Sequence, residues 1–255
     1  MSSKGKLIRF AENETFRCMV QPSADELLRG DHPLKGRWAR DFFHNDNPIV
    51  LELGCGKGEY TVSLAERFPD RNFIGIDIKG ARLWRGARTA TENGTPNVAF
   101  LRTRIEFITS LFAEGEVSEI WITFADPQEK KARKRLTHPI FLKRYASILV
   151  PEGRIHLKTD SRLLHFYTLE LAGRNNLTVY MHDDDIYGHG VADEILSIKT
   201  FYEKSFIAKG IAITYMSFSL NGKSSFEEPD WDQTPYEQSY KTDVRASYSS
   251  LGASR

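Results

Sequence analysis

Ile49-Val50-Leu51-Glu52-Leu53-Gly54-Cys55-Gly56-Lys57-Gly58 is the stretch whose reading decides the fold. An apolar run rich in β-branched residues predicts a strand buried on both faces, as in a parallel sheet. The run carries one carboxylate, Glu52, and leads into three glycines at alternate positions. A helix is predicted over 59–68, with Val62, Leu64, Ala65 and Phe68 apolar. Strand, glycine loop and helix form the first half of a nucleotide-type βαβ unit. Glycine suits the loop because the chain must turn sharply and let a ligand approach closely.

The spacing separates two cofactor classes. A dinucleotide fingerprint requires G-x-G-x-x-G, and counting from Gly54 its third position is Glu59, neither Gly nor Ala. What stands here is E-x-G-x-G-x-G, the pattern of S-adenosylmethionine enzymes. A carboxylate beside the loop suits an ammonium and a sulfonium and would repel a pyrophosphate. The next predicted strand, 72–77, ends on Asp77, about 20 residues beyond the last glycine, where an acid accepts hydrogen bonds from ribose hydroxyls.

Outward from this unit the chain alternates. Strands are expected at 49–53, 72–77, 98–102, 118–124, 153–158, 177–182 and 211–218, with helices at 59–68, 80–93, 105–113, 138–149 and 162–175 between them. This alternation predicts an α/β fold with a Rossmann-like, doubly wound, mostly parallel sheet. The first and fourth of these strands should flank the switch point, beyond whose carboxyl ends ligands bind. Residues 1–46 read as a basic N-terminal arm, extended apart from a short helix near 36–43, with Arg9, Arg29, Lys35, Arg37 and Arg40 among its cations. Such an arm is either a disordered tail or a hold on a polyanion. Residues 47–220 form the expected catalytic domain. Residues 221–255 read as a polar tail whose aromatics (Phe226, Trp231, Tyr236, Tyr240, Tyr248) either pack on the body or stay solvated.

Composition bounds the rest. With 255 residues, 40% hydrophobic and 27% charged, the chain can hold one α/β domain with appendages. A net charge of +1 does not announce a nucleic-acid protein, so only local clustering can. Two cysteines, Cys18 and Cys55, fit a reducing compartment, and Cys55 reads as a small filler of the loop. No signal peptide or apolar run long enough to span a membrane is present, so a cytoplasmic protein without membrane contact is expected.

Two further strand ends carry chemistry. The fourth strand runs into Asp126-Pro127, placing Asp126 at the switch point. Lys130, Lys131, Arg133, Lys134 and Arg135 follow, five cations in the six residues 130–135. A run of this kind is either a solvated face or, beside a site, a phosphate-binding patch. Arg82, Arg85 and Arg88 form a second stripe on the helix at 80–93, open to the same two readings. The fifth strand ends Leu157-Lys158-Thr159-Asp160, on the same rim as Asp126. Thr200 and Glu203 precede a second basic stretch, and carboxylates, a hydroxyl and lysines on one rim can grip a purine.

These residues together resemble the bacterial tRNA (guanine-N7-)-methyltransferases. The resemblance runs from about Asn47 to Phe218. It rests on the glycine-loop stretch with Glu59, Ile74-Gly75-Ile76-Asp77, Pro96-Asn97-Val98, Asp126-Pro127 with its basic run, Arg135-Leu136-Thr137-His138-Pro139, His156-Leu157-Lys158-Thr159-Asp160 and Thr200-x-Tyr202-Glu203-x-x-Phe206-x-x-x-Gly210. It implies the class I methyltransferase fold, seven strands with the last antiparallel. It implies methyl transfer from S-adenosylmethionine to N7 of a guanosine in the variable loop of tRNA, by a monomer without a metal. It implies Glu52, Gly54, Gly56, Gly58, Asp77, Arg104 and Asp126 as cofactor contacts, Asp126 as the catalytic residue, and Lys130, Asp160, Thr200 and Glu203 as substrate contacts. Three departures stand out. Gln128 replaces the family's tryptophan after Asp-Pro, the basic loop is two residues shorter, and Arg104-Ile105-Glu106 stands where Asp-Ala-Glu is usual. Arg104 cannot accept a hydrogen bond from an adenine amine. Two alternatives stay open: a methyltransferase acting on another RNA or small molecule, which loss of the basic loop would favour, and a non-catalytic tRNA-binding relative, in which Arg104 and Gln128 would mark lost catalysis.

Overall fold

The computed structural model describes residues 3–236; Tyr240 and Tyr248 of the tail lie outside the described residues. Its centre is a single sheet in the order β1-β4-β3-β2-β5-β6-β8-β7. The strands are β1 (Met19–Val20), β2 (Ile49–Leu53), β3 (Asn72–Asp77), β4 (Val98–Arg102), β5 (Val117–Thr123), β6 (Leu149–Thr159), β7 (Val179–Asp183) and β8 (Thr214–Ser219). Pairing is parallel from β1 through β6, and β8 runs antiparallel to both neighbours. Every residue of β2 is buried, Glu52 included, as a strand covered on both faces requires. β2 and β5 are adjacent, so the strand order reverses beside the glycine loop, as expected.

The helices are α1 (Ser3–Asn13), α2 (Ala24–Arg29), α3 (Glu59–Arg67), α4 (Gly80–Glu92), α5 (Ile108–Leu111), α6 (Pro139–Ala146), α7 (Arg162–Arg174) and α8 (Phe201–Ile207). Apolar side chains on the two faces of the sheet make two buried clusters, one around Leu51, Ile120 and Leu164, the other around Val50, Phe100 and Trp121. No helix among the described residues is long and apolar enough to cross a membrane.

The structure differs from the sequence expectation at three places. The N-terminal segment is folded rather than extended. α1 lies on α4, with the Arg9 guanidinium 4.2 Å above the Trp84 ring and Trp84 Nε1 donating to Glu12. β1 adds an eighth, edge strand by pairing with β4, which a two-residue strand without alternation could not announce. Trp38–Phe43 forms a π-helical turn near the expected short helix, held by Trp38 Nε1 donating to Leu111 O at 2.8 Å. β6 begins at Leu149, inside the expected helix. Val117 pairs with Leu149 but Glu119 with Arg154, so Pro151 and Gly153 sit in a bulge rather than a turn before the strand. The expected helix at 105–113 is a 3₁₀ turn (Ile105–Phe107) followed by the single turn of α5.

Candidate active site

β2 delivers the chain to Gly54, Gly56 and Gly58, whose φ angles are +75°, +57° and +68°. Side chains rarely tolerate this left-handed region. At Gly58 space is closed as well, since a β-carbon there would meet the Phe100 ring. At Gly54 and Gly56 it would meet nothing nearer than 4.0 Å, so backbone conformation alone selects glycine there. The N–H groups of Gly54 and Cys55 donate to Ile76 O at the end of β3. Asp77 then bridges loop and strand: it accepts from Gly56 N at 3.1 Å and Lys79 N at 2.7 Å.

Glu52 lies behind this loop, 3% exposed. It accepts from Thr61 N at 2.8 Å and from the hydroxyls of Thr61 and Thr123, tying β2 to α3 and β5. Burial raises its carboxyl to about 7 against the opposing pull of the Thr123 and Thr61 hydrogen bonds.

A cleft of about 610 Å³ opens beyond the carboxyl ends of the strands. It brings together five of the residues expected as cofactor or substrate contacts: Gly54, Asp77, Arg104, Asp126 and Asp160. Ile78 and Ile105 give it an apolar wall near Asp77, and Phe124, Tyr202 and Phe206 an aromatic one near Asp126. Glu106 also faces the cleft, and its carboxylate lies 3.7 Å from Arg104, so an acceptor stands two residues beyond the expected place. Asp160 is half-buried in the cleft wall, and burial raises its carboxyl to about 6.

Glu52, Gly56, Gly58, Lys130, Thr200 and Glu203 do not line the cleft. Lys130 is exposed beside it. Thr200 and Glu203 form a capping box on α8, each side chain accepting from the other's backbone N–H. Glu203 is fully buried, its carboxylate 2.7 Å from Lys158 Nζ and accepting from Tyr187 OH at 2.7 Å. The ammonium also donates to Leu196 O and Ile198 O. The pair anchors α8, which carries Tyr202 and Phe206 into the cleft. The T-x-x-E spacing is itself a helix-start signal.

The basic run divides. Arg133 and Lys134 face the cleft and Lys130 and Lys131 are exposed, but Arg135 is 1% exposed and bound within the protein. The stripe on α4 divides too. Arg82 lines the cleft, whereas Arg88 pairs with Glu92 at 2.7 Å and lies over Trp84. Sequence reasoning missed Lys79 and Arg144. Arg144 sits one helical turn after Ile140 on α6, and both line the cleft. The side chain of His138 caps α6 by accepting from Ile140 N.

Asp126 lies between two non-glycine residues of positive φ, Phe124 at +51° and Gln128 at +50°. A bulky residue in this region is strained and persists only where its surroundings hold it. Phe124 N donates to Lys158 O at 2.9 Å, and its ring stacks on Phe206. Asp126 itself is exposed to the cleft, and one oxygen accepts from Gln128 N at 2.9 Å. Among the described residues one further group, Asp183, Asp184 and His189, has donor atoms within 4.8 Å of one another. Asp184 there pairs with Arg162 at 2.8 Å, and none of the three lines the cleft.

A doubly wound sheet with a glycine-loop cleft at its switch point, and with β8 inserted antiparallel between β6 and β7, is the class I methyltransferase fold. The sequence model of a family described as putative methyltransferase matches residues 46–216. The crystal structure of the 16S rRNA methyltransferase KamB superposes with a TM-score of 0.52 at 15% identity, over 68% of this chain and 87% of that one, a likeness of fold alone. A tRNA (guanine-N(7)-)-methyltransferase of Christiangramia forsetii is 54% identical, over 86% of this chain and 100% of its own length. One of Porphyromonas gingivalis is 57% identical, over 80% of this chain and 84% of its own length. The chain belongs to the tRNA (guanine-N(7)-)-methyltransferase family, and it is an S-adenosylmethionine-dependent enzyme.

Proposed function

We propose that this protein methylates N7 of a guanosine in the variable loop of tRNA, and that the cleft between Asp77 and Asp160 is where it does so. The observation that carries the reading is that Gly54 and Asp77 share one cleft with Asp126, under a rim that includes Arg133, Lys134 and Arg144. The residues on the Asp77 side fit the cofactor. Asp77 is held by two backbone N–H groups and keeps acceptor capacity for ribose hydroxyls. Ile78 and Ile105 offer apolar surface to a flat base, Glu106 offers an acceptor, and Gly54 leaves the floor open. Glu52 supports the loop from behind. S-adenosylmethionine supplies an electrophilic methyl carbon there.

Guanine N7 carries a free lone pair on its Hoogsteen edge. Its attack requires no general base, so the protein's part is alignment. Asp126 accepts hydrogen bonds from guanine N1–H and the exocyclic amine, a pair that adenine does not offer. Phe124, Tyr202 and Phe206 give the base an aromatic wall on which to stack. Asp160 closes the base side of the cleft. Thr200 and Glu203 act through α8, by keeping that wall in place. Arg133, Lys134 and Arg144, with the exposed Lys130 and Lys131, hold phosphates.

Incubation with methyl-labelled cofactor and an unmodified tRNA transcript, followed by mapping of the label, tests the reading. The expected product is 7-methylguanosine at one variable-loop position. Label in another base, or none, overturns it.

A further inference from the structure

We propose that Arg135 is a positioning residue for Asp126 and that the C-terminal segment around Gln233 completes the clamp. The inference rests on the reading of Asp126 given above. Arg135 belongs by sequence to the basic run, but at 1% exposure it offers nothing to a polyanion. Its guanidinium lies 4.4 Å from the centre of the Tyr167 ring on α7. Its Nε donates to Pro127 O at 3.0 Å, and one terminal nitrogen donates to Gln233 Oε1 at 2.9 Å.

The carbonyl that Arg135 grips belongs to the peptide unit joining Pro127 to Gln128. The N–H of that same unit donates to Asp126 Oδ1. A peptide unit is planar and rigid, so fixing its carbonyl fixes the direction of its N–H, and with it one oxygen of the Asp126 carboxylate. Pro127 has no N–H of its own by which the turn could otherwise be tied. Gln128, at φ +50°, holds the unit in a conformation the chain does not adopt by default. A planar fork suits the task, since one guanidinium reaches two fixed acceptors in different directions, which an ammonium on a flexible stem does not.

The far end of the clamp is tertiary. Glu228 accepts from Tyr167 OH at 3.0 Å and lies 3.0 Å from His138 Nε2, and Trp231 packs on Tyr167. Glu227 and Asn175 exchange two further hydrogen bonds. These contacts seat the segment so that Gln233 meets the guanidinium. A tail whose sequence leaves open whether it packs or stays solvated thereby becomes part of the support for the residue that faces the guanine.

Three variants of the full chain, Arg135→Lys, Gln233→Ala and Gln233→Glu, test the clamp beside Asp126→Asn. Single-turnover methylation, cofactor affinity, and tRNA affinity as a function of salt are measured for each. Arg135→Lys keeps the charge and loses the fork; its turnover should fall on the order of tenfold or more, with affinities and salt slope unchanged. Gln233→Ala, on a half-buried tail residue that leaves the core intact, should lower turnover in the same way by a smaller factor. Gln233→Glu retains an acceptor and should restore it. Turnover at the wild-type level in both Arg135→Lys and Gln233→Ala, with Asp126→Asn impaired, overturns the clamp and leaves the cleft reading standing. Weaker tRNA binding by Arg135→Lys with intact turnover overturns it in favour of a phosphate contact, which a planar fork makes better than an ammonium. Normal methylation by Asp126→Asn overturns the reading of Asp126 itself.

Discussion

The two halves of the cleft are built differently. The Asp77 half is made within one βαβ unit: the loop at 54–58 and Asp77–Lys79 are joined by backbone N–H groups that donate to Ile76 O and to the Asp77 carboxylate. The Asp126 half is made by side chains from remote parts of the chain. Arg135 reaches from Pro127 to Gln233, Lys158 reaches from β6 to Glu203, and Phe124 rests on Phe206. Glu59 joins the halves, accepting from Phe201 N at 2.9 Å. Backbone bonds survive most substitutions, whereas a buried side chain has no replacement. The Asp126 half should therefore be the more fragile to single changes.

The strongest way to break the contrast is Glu203→Ala. It strands the Lys158 ammonium, whose pKa burial already lowers, without its carboxylate. Removing one partner of a buried pair costs about 3–5 kcal/mol, read as a lowered denaturant midpoint. A loss below about 1 kcal/mol would show that the pair does not hold α8. Next comes Asp126→Asn, which turns an acceptor toward a guanine donor into a donor. Turnover should fall by about 1.5–3 kcal/mol of barrier, with cofactor affinity little changed; a nearly silent change would reduce Asp126 to a cap of its own loop. In the other half, Asp77→Ala should weaken cofactor binding by about 1.5–3 kcal/mol and leave tRNA affinity alone. Calorimetry with and without tRNA checks whether the halves separate as described.

A smaller effect sharpens the view of Glu52. Its carboxyl, raised by burial to about 7 from 4.5, binds a proton more readily in the folded state. Stability from this group is complete below pH 4.5 and is lost as pH rises through about 7. Glu52→Gln stays neutral throughout, so the difference in urea midpoint between variant and wild type should change across that window, in favour of the variant at the higher pH. A constant difference would mean that the group does not titrate there. The smallest effect belongs to the rim: replacing Lys130 and Lys131 together by Ala should reduce the salt slope of tRNA binding by about 0.7–0.9 for each phosphate that is no longer neutralised. An unchanged slope would return both to a solvated face.

Much of the Asp77 half was legible in the sequence. Alternate glycines after a buried strand, and an acid closing the next strand, state their geometry through local rules of backbone conformation and period. The same rules carried the parallel sheet, the switch point, and the placement of Asp126 and Asp160 on one rim with Gly54 and Asp77. Charge has no such local grammar. Arg135 and Lys134 are neighbours and alike in sequence, yet one is buried under Tyr167 and the other lines the cleft. Glu203 reads as a rim acid until Lys158 is seen opposite it in the interior. Whether a cation or carboxylate meets solvent, ligand or a buried counter-charge depends on what packs over it. Here that cover comes from β6, α7, the loop at 184–200 between β7 and α8 and the segment at 226–236, all distant along the chain. The composition and period of the sequence by themselves determined the seven longer strands of the sheet, the glycine loop and the edge at which the cleft opens. Only the tertiary structure decided which charged residues face the cleft, because that choice is made by the burial of side chains against partners that no local pattern names.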